Sequence, residues 1–538
     1  METHSTTSGA VPPGLSRRSF FQYSTLAGLS AAGAASVLTA CGSSAKSATG
    51  TQVLRLNLDA DISNLDPAFD AGHTDTTVRA SIFQHLVTYR PDGWGMVNEL
   101  AQTFKPSSDG LSYDFTLKKG VKFHGGYGEL TADDVKFSFE RIAGLTKPKI
   151  DSPNSSDWAT LKEVRVHDRY SGTIVLSQPF APLMTTTIPI ISGEIVSKKA
   201  VLAKGKAFAT HPIGTGPYEF VSWTRNQSVV LSRFAGYSGA ASYAPKPAWD
   251  QIHFTVTADE NAALIALKSG ALDFAVLGPE TIGQVSRNPG FKPIERTTLN
   301  YSWIGINSAH PNFRDKNARL AVIHGIDVPS IISAAFNGKW TRATAVLAPG
   351  MPIGYWKGAP VYNRDVAAAK SYLSRAGAGG RKIQMAVASS VAGASTLAQI
   401  VQSNLNEVGF HVDVAVQESG VFNQATPKAN AQKQLFYTGF SSKPDPSWST
   451  KWFTSDQVGV WNWMSWSSAE YTRLNSQAIQ VTDSAQRNQM YIRMQQLMDE
   501  AAIASWVAWP TAFMAARQGI RAPVRPDGTF LPWAFRAA

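Results

Sequence analysis

Cysteine is almost missing from this chain. Cys41 is the only one in 538 residues, so no disulfide can form within the chain and the fold rests on its core. Gly-x-Ser-x-Gly, His-Glu-x-x-His and a Gly-Lys-Ser/Thr phosphate loop are also absent, which leaves the common hydrolase and nucleotide chemistries without their residues. The ten histidines, among them His73, His85, His124, His167, His211 and His253, stand singly, with no pair three or four apart. No helix face therefore offers two imidazoles to a metal, and neither a metal site nor a cofactor is expected. Beyond the first 45 residues no stretch reaches the roughly 18 uninterrupted apolar residues of a helical membrane span. Charged residues are only 17% against 43% apolar, the balance of a packed body, not a disordered one.

What is present begins at the N-terminus. Arg17-Arg18-Ser19-Phe20-Phe21 is followed by a mild apolar run, Ser24–Ala40, broken by Gly28 and Gly33, and then by Leu38-Thr39-Ala40-Cys41. Paired arginines, a short apolar segment and small residues before a cysteine form an export signal, not a folded element. The arginine pair resembles a twin-arginine signal. The last four residues resemble a bacterial lipobox, in which Cys41 becomes the first mature residue and carries lipid. Residues 1–40 are thus read as signal. Residues 41–51, small and polar, are read as a flexible tether. Ser43-Ser44-Ala45-Lys46 matches the S-x-x-K pattern of penicillin-interacting enzymes, but it lies in that leash, whereas the motif opens a helix of a folded domain.

The formal charge is +11, and the signal holds only Glu2, Arg17 and Arg18, so most of it lies on the exported body. No basic run exceeds Lys118-Lys119 or Lys198-Lys199. This scatter fits attraction to an anionic envelope surface better than to nucleic acid.

Two strand–helix–strand passages are readable. Ile252–Val256 alternates as a strand, Asp259 can cap a helix carrying Leu264 and Leu267, Gly270 ends it, and Leu272–Val276 returns as a strand. Ile383, Met385 and Val387 alternate, Leu397, Val401, Leu405 and Val408 form a helical stripe, Gly409 stops it, and Val412, Val414 and Val416 alternate again. Each implies parallel pairing through a right-handed crossover, hence two α/β lobes. Thr131 and Asp134 form a capping-box pair opening a further helix.

Several segments, in order, then resemble one family. Leu65-Asp66-Pro67 is followed by ELAQTFKPSSDGLSYDFTLKKGVKFHGGYGELTADDVKFSFER, Glu99 to Arg141; by PIGTGPYEF, Pro212–Phe220; and by GINSAHPNFRDKNARLAVIHGID, Gly305–Asp327. YNRDVAAAKSYLSRAG and RNQMYIRMQQLMDE also fit. The chain resembles the family 5 extracellular solute-binding proteins, the dipeptide-, oligopeptide- and nickel-binding lipoproteins of ABC importers, from about residue 53 to 515. The resemblance implies an α/β, two-lobed periplasmic-binding-protein-like fold (type II, cluster C) with an extra satellite domain and a hinge. By analogy, lobe one combines 51–93, 205–298 and 505–538. The satellite covers 94–204 and lobe two 299–504, with hinge crossings near 298 and 504. Gly214 and Gly216 are read as relieving backbone strain at a turn, and Asp133 and Asp134 as cap residues.

The resemblance also implies a cleft. In peptide-binding relatives an aspartate within a Gly-Trp-x-x-Asp stretch meets the ligand's α-amine. Here the stretch is Gly439-Phe440-Ser441-Ser442-Lys443-Pro444-Asp445, and the aspartate's position falls on Ser442 or Lys443. A lysine about 4 Å from a ligand amine would repel it by roughly 4 kcal/mol at an effective dielectric near 20. Either Asp445 replaces the missing carboxylate or no free amine is anchored there. Tyr301 and Trp303 fall where relatives bring aromatics to the ligand, and Gly72 and His73 border the cleft. Some of Trp448, Trp452, Trp461, Trp463 and Trp466 should line it too.

The expected activity is binding, not catalysis. It is that of a monomeric receptor held through lipid on Cys41 at the outer face of the cell membrane, passing peptides or peptide-like solutes to an ABC permease. A same-family receptor for an oligosaccharide, a metal chelate or a haem-like compound is the alternative. A secreted hydrolase is the reading from another class.

Overall fold

The computed structural model describes residues 51–69, 72–238, 246–424 and 426–538. Cys41, the export signal and most of the tether lie outside the described residues. Alternating apolar residues build two large mixed sheets, and each is covered by helices on both faces.

The first sheet has seven strands, in the order Phe291–Thr297, Thr511–Arg517, Phe274–Leu277, Val53–Leu58, Gln251–Val256, Ser228–Arg233 and Tyr218–Thr224. Leu54, Leu56, Phe254 and Phe274 point into a core shared with helix His73–Ile82 and with Phe530, Trp533 and Phe535. Ala275, Leu277, Phe513 and Ala515 point the other way, against helix Glu260–Ser269. Asp259 accepts from Ala262 N at 2.7 Å, and Gly270 ends the helix at φ +82°. The two strands flanking this helix are not neighbours, because Val53–Leu58 lies between them and runs parallel to both.

The second sheet has six strands, in the order Thr341–Arg342, Ala504–Trp509, Tyr301–Ile306, Leu435–Phe440, Lys382–Ala388 and His411–Gln417. Here the strand–helix–strand passage closes directly. Lys382 to Ala388 pair in parallel with His411 to Gln417, and helix Ala394–Val408 stops at Gly409 with φ +115°. Ile304 and Ile306 face the core formed with helices Lys316–Gly325 and Ala394–Val408. Tyr301 and Trp303 face an aromatic core closed by helices Ala469–Ala478 and Ser484–Glu500.

A four-stranded antiparallel sheet, Ala101–Pro106, Ser112–Leu117, Ser171–Leu176 and Leu161–Asp168, forms the satellite and packs on helix Ala132–Ile142. The helix opens on Thr131 as its pattern indicates, with Thr131 N and Oγ1 both donating to Asp134. It ends near Arg141, whose guanidinium forks onto both oxygens of Asp66 at 2.8 and 2.6 Å. Leu65-Asp66-Pro67 and the end of the Glu99–Arg141 block are thus joined by one buried ion pair.

Two sequence expectations are corrected. Residues 505–509 do not join the first sheet. Ala504–Trp509 pairs with Tyr301–Ile306, so the chain crosses between sheets at Pro510, which has no N–H to give to a ladder. Thr298, on the other crossing, donates to Pro510 O through both N and Oγ1 at 2.8 Å, which ties the crossings together. Gly214 and Gly216 are not strained turn residues either, for neither has a positive φ. A Cβ on Gly214 would stand 2.0 Å from Ile82 O, and one on Gly216 2.5 Å from Ser81 O. They are glycines because two backbones touch there. His124 completes the contact, accepting from Gly214 N and bonding Gly216 O at 2.9 Å. Burial pushes its imidazole down to about 4.

Candidate functional site: an aromatic wall between lobe two and the satellite

Strand register decides which aromatics meet. Tyr301 pairs with Phe440, Ser302 with Gly439 and Trp303 with Thr438 on one side, while Trp303 pairs with Trp506 on the other. Residues two apart share a face, so Tyr301 and Trp303 project together, with ring centroids 5.3 Å apart. Phe440 meets Trp303 edge-on at 5.0 Å, and Phe453 and Trp506 lie 5.6 and 6.1 Å from it. Trp452 and Trp461 extend the group from Phe440 at 6.0 and 6.1 Å. Tyr301 and Trp303 are buried and form the floor. Phe440, Trp452, Trp461 and Trp506 are half-buried and form the rim. Tyr301 OH donates to Ser449 O, whereas among the described residues the Trp303 Nε1 donor has no hydrogen-bond partner.

The loop after Phe440 carries the polar groups. Gly439 and Ser441 are exposed. Ser442 is buried, donates its N–H to Asn300 Oδ1 at 3.0 Å and shares a 2.6 Å bond with Ser449 Oγ. Asp445 is wholly buried: Arg487 Nη2 approaches its Oδ2 at 2.7 Å, Thr185 Oγ1 donates to the same oxygen at 2.7 Å, and Ser447 N donates to Oδ1 at 3.0 Å. Burial alone would raise this carboxyl, but the Arg487 charge and these hydrogen bonds hold it below its ordinary value. Lys443 is half-buried, and its charge and that of Lys451 act on the Asp157 carboxylate of the satellite. The Lys451 ammonium sits 4.0 Å from the Trp448 ring centre and 4.4 Å from that of Trp452. Burial lowers its pKa while Asp157 opposes the change, and burial raises Asp157.

Among the described residues, hydrogen bonds join the satellite region to lobe two. Besides Thr185 to Asp445, Trp94 Nε1 donates to Gly350 O at 2.7 Å and Ala181 N to Ile479 O at 2.7 Å. Tyr89 OH donates to Thr185 O, which fixes the segment carrying the first of them.

Gly72 and His73 are exposed and open helix His73–Ile82. Gly72 N donates to Asp75 Oδ2, and Asp75 Oδ1 accepts from Ser63 N and Asn64 N. Among the described residues no hydrogen bond or ion pair joins them to the Gly439–Asp445 loop. The structure therefore brings Tyr301, Trp303 and Phe440 together and places the loop beside them, with Gly72 and His73 on the other lobe. Trp506, Thr185 and Trp94 were not singled out by sequence. Only Trp506, alternating with small and apolar residues in Ala504–Trp509, carried a local signal.

An open groove of about 680 Å³ elsewhere, lined by Gln102, Lys118, Lys119, Arg169 and Tyr170, is a surface feature of the satellite sheet and lacks these convergent aromatics. Among the described residues no three His, Cys, Asp or Glu side chains are grouped to hold a metal ion. No single described helix is long and apolar enough to cross a membrane.

Residues 95–460 match the model for bacterial extracellular solute-binding proteins, family 5. The chain belongs to the family 5 bacterial extracellular solute-binding proteins. It is 26% identical over 513 residues to di/tripeptide-binding protein 2 of Pseudomonas aeruginosa, covering 90% of this chain and 94% of that protein. The structure of HbpA2 from Haemophilus parasuis superposes with a TM-score of 0.81 at 24% identity, over 91% of this chain and 100% of the other. DppA from Helicobacter pylori, in complex with the peptide STSA, gives 0.73 at 22%, over 91% and 98%. The fold is thus the two-lobed α/β fold of periplasmic binding proteins. The matched relatives are binding proteins, and the chain is a binding protein and not an enzyme.

Proposed function

We propose that this protein is the receptor of an ABC importer. It takes a peptide or peptide-like solute between its lobes and hands it, unaltered, to the permease. The observation that carries the reading is the aromatic wall of Trp303, Phe440, Trp452, Trp461 and Trp506 beside a polar loop, in a chain whose family relatives include a di/tripeptide-binding protein. Such a wall suits a roomy apolar pocket with few polar groups. Tyr301 backs the wall, Gly439, Ser441, Ser442 and Lys443 present the loop, and Gly72 and His73 approach from lobe one. Asp445 holds the loop in place through Arg487 and does not serve as a free carboxylate.

The body works as a monomer anchored by lipid on Cys41 at the outer face of the cell membrane, after export by the twin-arginine route. Lobe one is residues 51–93, 205–298 and 511–538, the satellite 94–204, and lobe two 299–509, with hinge crossings at Thr298 and Pro510. Ligand contacts made only when the lobes meet shift an open–closed equilibrium, and no bond in the cargo is broken.

The test is incubation of the purified protein with a mixed peptide pool, removal of unbound material, denaturation and mass spectrometry. Recovery of intact peptides supports the receptor. Cleavage products, or no retained peptide, contradict it.

A further inference from the structure

The polar groups beside the aromatic wall leave one end of a peptide unread, an inference that rests on the receptor reading above. A bound ammonium needs a carboxylate that is close and not already spent. Asp445 is spent. It is wholly buried, with both oxygens engaged by Arg487, Thr185 and Ser447 N. Turning it toward a ligand would strand the Arg487 guanidinium, itself buried, beside a carboxylate it no longer meets. Ser442 is neutral, buried and turned inward to Ser449 and Asn300. A second carboxylate, Asp157, accepts from Ser192 Oγ and lies within the electrostatic reach of the Lys451 and Lys443 ammonium groups, so an added cation there would compete with charges the protein already supplies. The wall itself offers ring faces and one distinctive polar atom. Among the described residues Trp303 Nε1 is a buried donor without an acceptor, and its ring is surrounded by Tyr301, Phe440, Phe453 and Trp506, none of which supplies one. A buried donor left unmet is costly, and a carbonyl oxygen of the cargo is a group that can meet it.

We propose that the cargo is an aromatic peptide-like solute whose amine is blocked or absent, such as an N-acylated or cyclic peptide, held against Phe440, Trp452, Trp461 and Trp506 with Trp303 Nε1 donating to a carbonyl oxygen. Its terminal ammonium is not read by the Gly439–Asp445 loop. A dedicated carboxylate would favour the free amine by about two to three orders of magnitude, and this loop forgoes that preference.

The experiment uses the full chain and a pool of synthetic tripeptides bearing Phe, Tyr or Trp, each present as the free amine and as its N-acetyl form. Bound species are released by denaturation and quantified by mass. The N-acetyl forms are expected to be retained as well as or better than their partners. A preference for the free amine of about tenfold or more overturns the inference while leaving the peptide receptor standing. Retention of neither form overturns both, which separates the two failures. Trp303→Phe removes the donor together with part of a buried ring, so its melting temperature falls. Assayed well below that temperature, it is expected to weaken retention of the N-acetyl forms about tenfold, and undiminished retention overturns the donor's role.

Discussion

Thr185 Oγ1 lies 2.7 Å from Asp445 Oδ2, a hydrogen bond from the satellite to a residue 260 positions away in lobe two. The carboxylate it reaches is the one paired with Arg487, so the bond ends on a charge that is already fixed. Trp94 to Gly350 and Ala181 to Ile479 run alongside it. Thr185→Val removes this link and leaves the ion pair intact. A bond to a charged acceptor contributes about 1.5 kcal/mol, so cargo affinity should fall about tenfold by calorimetry if the bond forms on closure. Unaltered affinity would assign the bond to the scaffold alone.

Asp445→Asn acts on stability instead. It leaves Arg487 buried without its counter-charge and should cost about 3–5 kcal/mol in denaturant titration. The folded carboxyl is held below its ordinary value, so its contribution is present above the unfolded pKa and is lost as pH falls through the folded one. The variant should lose that part of the parent's acid sensitivity.

His124 titrates over a different window. Its folded pKa is pushed down to about 4 from 6.5, so the unfolded chain takes the proton first. Stability is full above the unfolded value, falls between pH 6.5 and about 4, and levels off below. The loss is on the order of 3 kcal/mol, and His124→Gln should flatten it. An imidazole seen by NMR to titrate near 6.5 in the folded protein would contradict this.

Much of the architecture could be read from residue patterns, because strand alternation and helix punctuation are local. Lys382–Gln417 behaved as its pattern indicates. Two things were not local. The Gln251–Leu277 passage gave no hint that Val53–Leu58 would insert between its strands, and nothing in Ala504–Trp509 says which sheet it pairs with. At the candidate site, Tyr301, Trp303 and Phe440 were singled out through resemblance, and strand register explains why their rings meet. The commitment of Asp445 to Arg487 and Thr185 was not legible, since those partners are separated from it by 42 and 260 residues.

Gly214 shows the same dependence on distant backbone. Gly214→Ala would drive a Cβ into Ile82 O and should prevent soluble folding or lower stability by several kcal/mol, on the order of overpacking a core. In thermal melts of both variants, Gly283→Ala, with nothing within 4 Å of the added carbon, should be neutral or stabilising by about 0.5 kcal/mol.

The most direct test of a clamp that grips its cargo is small-angle scattering of the full chain with and without a mixed peptide pool, followed by mass analysis of the pool. A receptor gives a smaller radius of gyration with peptides present and returns them intact. An unchanged radius together with cleaved peptides would contradict it.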